Sequence, residues 1–136
     1  MKAITEIKNI LNWYYKHSSS ASITELLDNQ DKLSIWACNL GEFAGELFGQ
    51  FNNQYLIRRI GIAKTKQALI KNGSAIGKAD TDALIENEEH YKKEIQSQID
   101  ANTADILLKQ TNKVIDAMRT RISYLKTEKE NVSNNQ

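Results

Sequence analysis

The chain contains no proline and a single cysteine. Proline ends helices and stiffens loops, so its absence over 136 residues favours a few long helices joined by short connections. One cysteine, Cys38, cannot close an internal disulfide, which suits a reducing compartment. Long apolar runs are missing too. No 18-residue hydrophobic stretch occurs, which excludes a transmembrane helix, and Glu6, Asn9 and Asn12 interrupt the first residues where a signal peptide would need an apolar core. Aromatic residues make up only 7%. These absences predict a soluble protein of the cytoplasm. The length fits one domain, which as a compact globule would bury roughly 65–70% of its unfolded surface.

What is present is helical periodicity. Ile4, Ile7, Leu11 and Tyr14, with Ile10 beside them, put an apolar stripe on a short helix over residues 1–17. Ser18-Ser19-Ser20 breaks it, and a serine or Thr24 can cap the helix that follows. From 23 to 71 there is no strong stop. Leu33, Leu40 and Leu47 recur at sevens with Ala37, Ala44 and Phe51 between them, and Phe48, Tyr55, Ile62 and Leu69 continue in a shifted phase. Such a repeat reads as one long helix with a stutter, packed along most of its length. Gly41, Gly45 and Gly49 share one face, each costing about 1 kcal/mol relative to alanine. Close approach of another helix, or a kink over 41–49, would account for them.

The segment Lys71-Asn-Gly-Ser-Ala-Ile-Gly-Lys78 reads as a loop, with Gly73 placed to terminate the long helix. Asp80, Thr81 and Asp82 offer a cap and an acidic first turn for C-terminal helices over 80–130. There Leu108, Ile115, Met118, Ile122 and Leu125, with Thr111 in the seventh place, form a coiled-coil-like seam. Residues 131–136 read as a frayed tail. The expected fold is all-α: a single domain of long antiparallel helices, or a helical hairpin, with coiled-coil-like packing. Narrow seams leave apolar side chains over, which predicts a homo-oligomer.

The formal charge of +1 hides an asymmetry. Residues 58–78 carry six cations, Arg58, Arg59, Lys64, Lys66, Lys71 and Lys78, and no acid, whereas 80–100 carry seven acids against Lys92 and Lys93. Most charge runs are solvated helix faces, but such faces usually mix signs. A single-sign block is the electrostatic footprint of a polyanion binder. Arg59 with Lys66, and Lys64 with Lys71, lie seven apart, so the block is expected to form two adjacent tracks beside the Tyr55-Ile62-Leu69 seam. Lys109, Lys113, Arg119, Arg121 and Lys126, interrupted by Asp116, form a second cationic run.

Other chemistry finds less support. There is no zinc-finger spacing and no aromatic-rich strand, so nucleic acid would be held by its phosphates with little sequence preference. Tyr55, Tyr91, Tyr124, Trp13 and Trp36 could stack on bases, but at seam positions they read as core. Glu86, His90 and Glu94 share a helix face, yet the di-iron bundle spacing would want a glutamate where Asn87 stands. His17 reads as a surface residue. Cys38 reads as a small buried side chain without a nearby histidine. Gly73 to Lys78 lacks the spacing of a phosphate loop. No cofactor and no enzymatic activity is expected.

Ser34-Ile-Trp36, Lys64-Thr-Lys66, Asn72-Gly73 and Ile115-Asp-Ala-Met-Arg-Thr-Arg121 follow one another in an order that resembles the UvsY-type recombination mediators of T-even-like phages. The resemblance spans residues 33–126. It implies a small helical protein that assembles into a ring-like oligomer in the bacterial host cytoplasm, binds single-stranded DNA, and helps a RecA-like recombinase displace single-strand-binding protein. It places the DNA-contacting basic pair on Lys64 and Lys66, although the family's second residue is arginine, which forks onto phosphate where lysine cannot. The Gly41/Gly45/Gly49 series has no counterpart in it. A phage helical adaptor or inhibitor that binds a host protein such as a nuclease, and a scaffold whose seams alone are its function, are the alternatives.

Overall fold

In the computed structural model, which describes residues 1–135, the chain forms four helices and no strand among those residues. They are α1 (Lys2–His17), α2 (Ile23–Lys71), α3 (Ile76–Glu86) and α4 (Glu88–Asn134). None is long and apolar enough to cross a membrane. The all-α expectation therefore holds. The described chain does not cluster as one body, however: it divides into a first unit of Met1–Phe43 with Ala104–Gln136 and a second of Ala44–Thr103. Helices α2 and α4 each contribute to both.

The first unit has a conventional core. Ile7, Leu26, Leu33, Leu40 and Met118 are fully buried, with Ile10, Leu11, Val114, Ile115 and Ile122 around them. Burying each of these large side chains contributes roughly 1.5–3 kcal/mol. Leu33, Ala37 and Leu40, at steps of four and three, are all buried, as the heptad spacing predicts, and the buried Ala44 continues the phase at the start of the second unit. Gln30 Nε2 donates to the Ile115 carbonyl, and Gly41 faces Leu108, so α2 and α4 run antiparallel within this unit. Thr111, fully buried in the seam, satisfies its hydroxyl by donating to the Leu107 carbonyl at 2.7 Å. Cys38, off the buried phase, is exposed, which corrects the expectation of burial.

Local chemistry sets the ends of α2. The Ser22 hydroxyl accepts from the Glu25 amide at 3.1 Å, and the Glu25 carboxylate accepts from the Ser22 amide at 3.2 Å. This reciprocal capping box satisfies two otherwise free donors. At the other end Gly73 has a φ of 98°, and the Ser74 amide donates to the Leu69 carbonyl while the Gly73 amide donates to that of Ile70. That pair of bonds is a Schellman motif, and its left-handed residue is where glycine is favoured.

Two expectations fail here. Helix α3 begins at Ile76, inside the segment read as loop, and has no side-chain cap. Asp80, Thr81 and Asp82 lie within it, where the Thr81 hydroxyl donates to the Gly77 carbonyl and Asp80 pairs with Lys66. They cap nothing. Close helix contact likewise fails to explain Gly45 and Gly49, where a Cβ would meet nothing within 4 Å, whereas one at Gly41 would lie 4.0 Å from Leu108. Residues 41–49 are helical throughout. Of the tail read as frayed, residues 131–134 belong to α4, and Gln136 lies outside the described residues.

In the second unit the buried apolar side chains are alanines: Ala44, Ala79, Ala83 and Ala101. Leu47, Phe51, Ile62 and Leu69 are half-buried. The glycine at close approach is Gly61, where an added Cβ would strike the Asn87 side-chain oxygen. Gly45→Ala and Gly49→Ala should each stabilise the protein by up to about 1 kcal/mol, because they improve helix propensity without a clash. Gly61→Ala should destabilise it by about 1–3 kcal/mol. Urea denaturation of the three variants measures all of these shifts.

Candidate nucleic-acid interface

The cationic block begins on the second-unit part of α2, and its first residue is spoken for. Arg58 Nε donates to Glu94 Oε2 on α4, and its Nη2 donates to Oε1 at 3.3 Å. The two side chains are only 22% and 10% exposed. The guanidinium also stands 5.5 Å from the Tyr55 ring and 5.4 Å from the Tyr91 ring, within cation–π range of both. The Glu94 hydrogen bond, joined by its negative charge, raises the Arg58 pKa above its ordinary value, with partial burial opposing. A base whose folded pKa is raised contributes its stabilisation at every pH below its unfolded pKa and loses it only above. The pair is therefore insensitive to pH on the Arg58 side throughout the neutral range. Its fork is filled by a carboxylate, which leaves no bidentate face for phosphate.

A second polar clasp lies one to two turns further along α2, at Gly61 and Thr65. Asn87, buried in the break between α3 and α4, donates from Nδ2 to the Thr65 hydroxyl at 3.0 Å and to the Ala83 carbonyl at 2.8 Å. Its side chain occupies the space that Gly61 leaves empty. Neither Asn87 nor Gly61 was singled out by sequence reasoning. The available signal was a polar residue in the middle of a helical pattern opposite a glycine, but their pairing across 26 positions carries no local mark.

The remaining cations divide. Arg59 is exposed and donates to the Tyr55 hydroxyl at 3.1 Å. Lys66 pairs with Asp80 at 2.6 Å, with both side chains open to water at 39% and 52% exposure. Such an exposed pair is worth about 0–1 kcal/mol, so a phosphate can displace it. Lys64, Lys71 and Lys78 are exposed and make no ion pair among the described residues.

Helix geometry then corrects the expected layout. Arg59 and Lys64 are five residues apart, which places them about 140° around the helix from one another. Arg59 and Lys66 lie beside the Tyr55-Ile62-Leu69 seam as expected, in which Ile62 and Leu69 are half-buried and Tyr55 exposed, but Lys64 and Lys71 lie on the far side of α2. Between the two tracks runs an exposed apolar stripe of Leu56, Ile60 and Ile70, at 53%, 52% and 40% exposure, with Ala63 among them. The cations thus rim an open apolar face on both edges.

The second cationic run belongs to the first unit and is partly neutralised. Lys109 pairs with Asp105, Arg119 with Asp116, and Arg121 donates to the Ser19 carbonyl. Tyr55, Tyr91 and Tyr124 are exposed and not core, each with an arginine over its ring. Trp36 is half-buried under Lys2. Glu94 is occupied by Arg58, and the described residues hold no cluster of three metal-ligating side chains. No family model, no curated protein and no solved structure matches the chain.

Removing Glu94 alone leaves Arg58 part-buried and unpaired, so Glu94→Leu should cost about 2 kcal/mol, less than a fully buried pair because Arg58 keeps some access to water. Arg58→Met combined with Glu94→Leu should recover most of that loss. Chemical denaturation of the single and double variants tests the difference.

Proposed function

We propose that the protein is a non-enzymatic single-stranded DNA-binding mediator, an oligomer that helps a RecA-like recombinase load while single-strand-binding protein is displaced. The observation that carries the reading is the unpaired cationic set Lys64, Lys71 and Lys78 on one short stretch of chain that holds no acid. Arg59 and the displaceable Lys66 add to it. Flexible, exposed lysines suit phosphate binding without sequence preference, because each offers a point charge and no fixed fork. Arg58, in its pair with Glu94, serves to hold the helix that presents them. Each protomer need make only a few phosphate contacts, since assembly multiplies them through effective concentration.

A second reading has its own observation. Phosphates have no use for the exposed Leu56, Ile60 and Ile70, whereas a host protein bound by a helical adaptor or inhibitor does. The two readings differ in their response to salt. If four phosphates are neutralised per protomer, log affinity for a labelled oligonucleotide should fall against log salt with a slope of about −3, at −0.7 per phosphate. Lys64→Ala with Lys71→Ala should bring the slope to about −1.4. A slope near zero, or binding untouched by Lys64→Ala with Lys66→Ala, removes the DNA reading and leaves the adaptor.

A further inference from the structure

The second unit exposes apolar side chains on all three of its helices, Ile76, Leu84 and Ile85 being those of α3. Besides the α2 stripe, Tyr91, Ile95 and Ile99 follow one another at steps of four along α4, at 51%, 38% and 52% exposure. A run at that spacing lies along one side of a helix, as a partner-facing seam does.

Charge decides which face meets which. A copy of the α2 stripe facing another α2 stripe would bring Arg59, Lys64, Lys66 and Lys71 against their own kind, and like charges across a contact oppose it. On α4 the stripe shares its helix with the exposed Glu88, Glu89 and Asp100 against Lys92 and Lys93, with Lys92 already paired with Glu88 and Glu89; Glu86 at the end of α3 adds an acid, whereas Asp80 is taken by Lys66. Basic edges around one apolar stripe and a net acidic surround on the other are the charge pattern that orients paired helices. Beside Tyr91, a cavity of about 270 Å³ lined by Arg58, Ile62, Leu84, Asn87, Glu88 and Tyr91 is nearly all apolar at its surface. It is large enough to receive a leucine or isoleucine side chain.

We infer that the Leu56–Ile60–Ile70 face of one copy docks on the Tyr91–Ile95–Ile99 face of a second copy of this chain. The contact is heterologous: each copy offers two different faces, so each can engage two neighbours, and the assembly extends until it closes on itself. The inference rests on the oligomeric part of the proposed reading and not on DNA binding.

The experiment uses the full chain without nucleic acid, with mass in solution read by light scattering and helicity by circular dichroism. The wild type should form a species of more than one copy. Leu56→Glu with Ile60→Glu disables one face, and Ile95→Glu with Ile99→Glu disables the other. Each variant alone should keep its helicity, with a dissociation constant raised at least about tenfold, since a glutamate buried in an apolar contact lacks a partner. Mixed in equal amounts, the two should form a species of two copies, because one intact face of each kind remains. If a double variant loses helicity, Ile60→Ser and Ile99→Ser, at positions about half exposed, take its place. A monomeric wild type overturns the inference. So does a mixture that stays monomeric, or an α4-face variant that still dimerises, which would indicate pairing of like faces. The salt response of oligonucleotide binding is measured separately, so the failure of either reading is visible without the other.

Discussion

The clasp between α2 and α4 in the second unit determines what that unit can do. Arg58 and Glu94 form one part, and Asn87 set against Gly61 with its bond to Thr65 forms the other. A guanidinium–carboxylate fork and a side-chain amide both demand particular geometry, so they hold the helices in one rotation and one register. Alanine and half-buried apolar packing alone would resist rotation weakly. With that rotation fixed, Ile62 and Leu69 turn inward, and Leu56, Ile60 and Ile70 are left facing out. The helical period itself places Lys64 and Lys71 across the stripe from Arg59 and Lys66. What the clasp decides is that the stripe between the two tracks faces out.

Much of the first unit, and both ends of α2, could be read from residue order, because their determinants are local or strictly periodic. The Ser22–Glu25 capping box joins residues three apart, the Gly73 termination joins residues five apart, and the Leu33–Ala44 phase repeats at sevens. These features carry their own signal. The heptad phase even contained the exposure of Cys38, which sits one position off the buried Ala37. Reading that residue by its type and not by its phase led to the wrong side of the helix.

The second unit was less legible for a physical reason. Its organising contacts join residues 36, 22 and 26 positions apart, and nothing local distinguishes an arginine that will meet a glutamate on another helix from one that will meet water. Arg58 and Arg59 are adjacent and identical in type, yet one is engaged inside the unit and the other lies on its surface. The glycines show the same limit. Three in a regular series met open space or light contact, whereas the unpatterned Gly61 was the one required by its neighbour. Asp80 and Asp82 looked like helix-start residues because acids favour first turns. Lys66 nonetheless drew Asp80 into a pair after helix α3 had begun earlier, at Ile76.

The charge asymmetry also acquires a different meaning once it is placed on the helices. As a count it set a basic segment against an acidic one within a nearly neutral chain, as though one partner were meant for each. The structure joins the two segments through two ion pairs, Arg58–Glu94 and Lys66–Asp80, and these two differ in kind. The first is sheltered, forked and flanked by two tyrosine rings, so competing anions gain little by approaching it. The second is open to water and exchanges readily. A polyanion arriving at this surface therefore meets cations of graded availability: Lys64, Lys71 and Lys78 first, then Lys66 at the small cost of freeing Asp80. Arg58 is not among them, because taking it would undo the contact that holds the other cations in place.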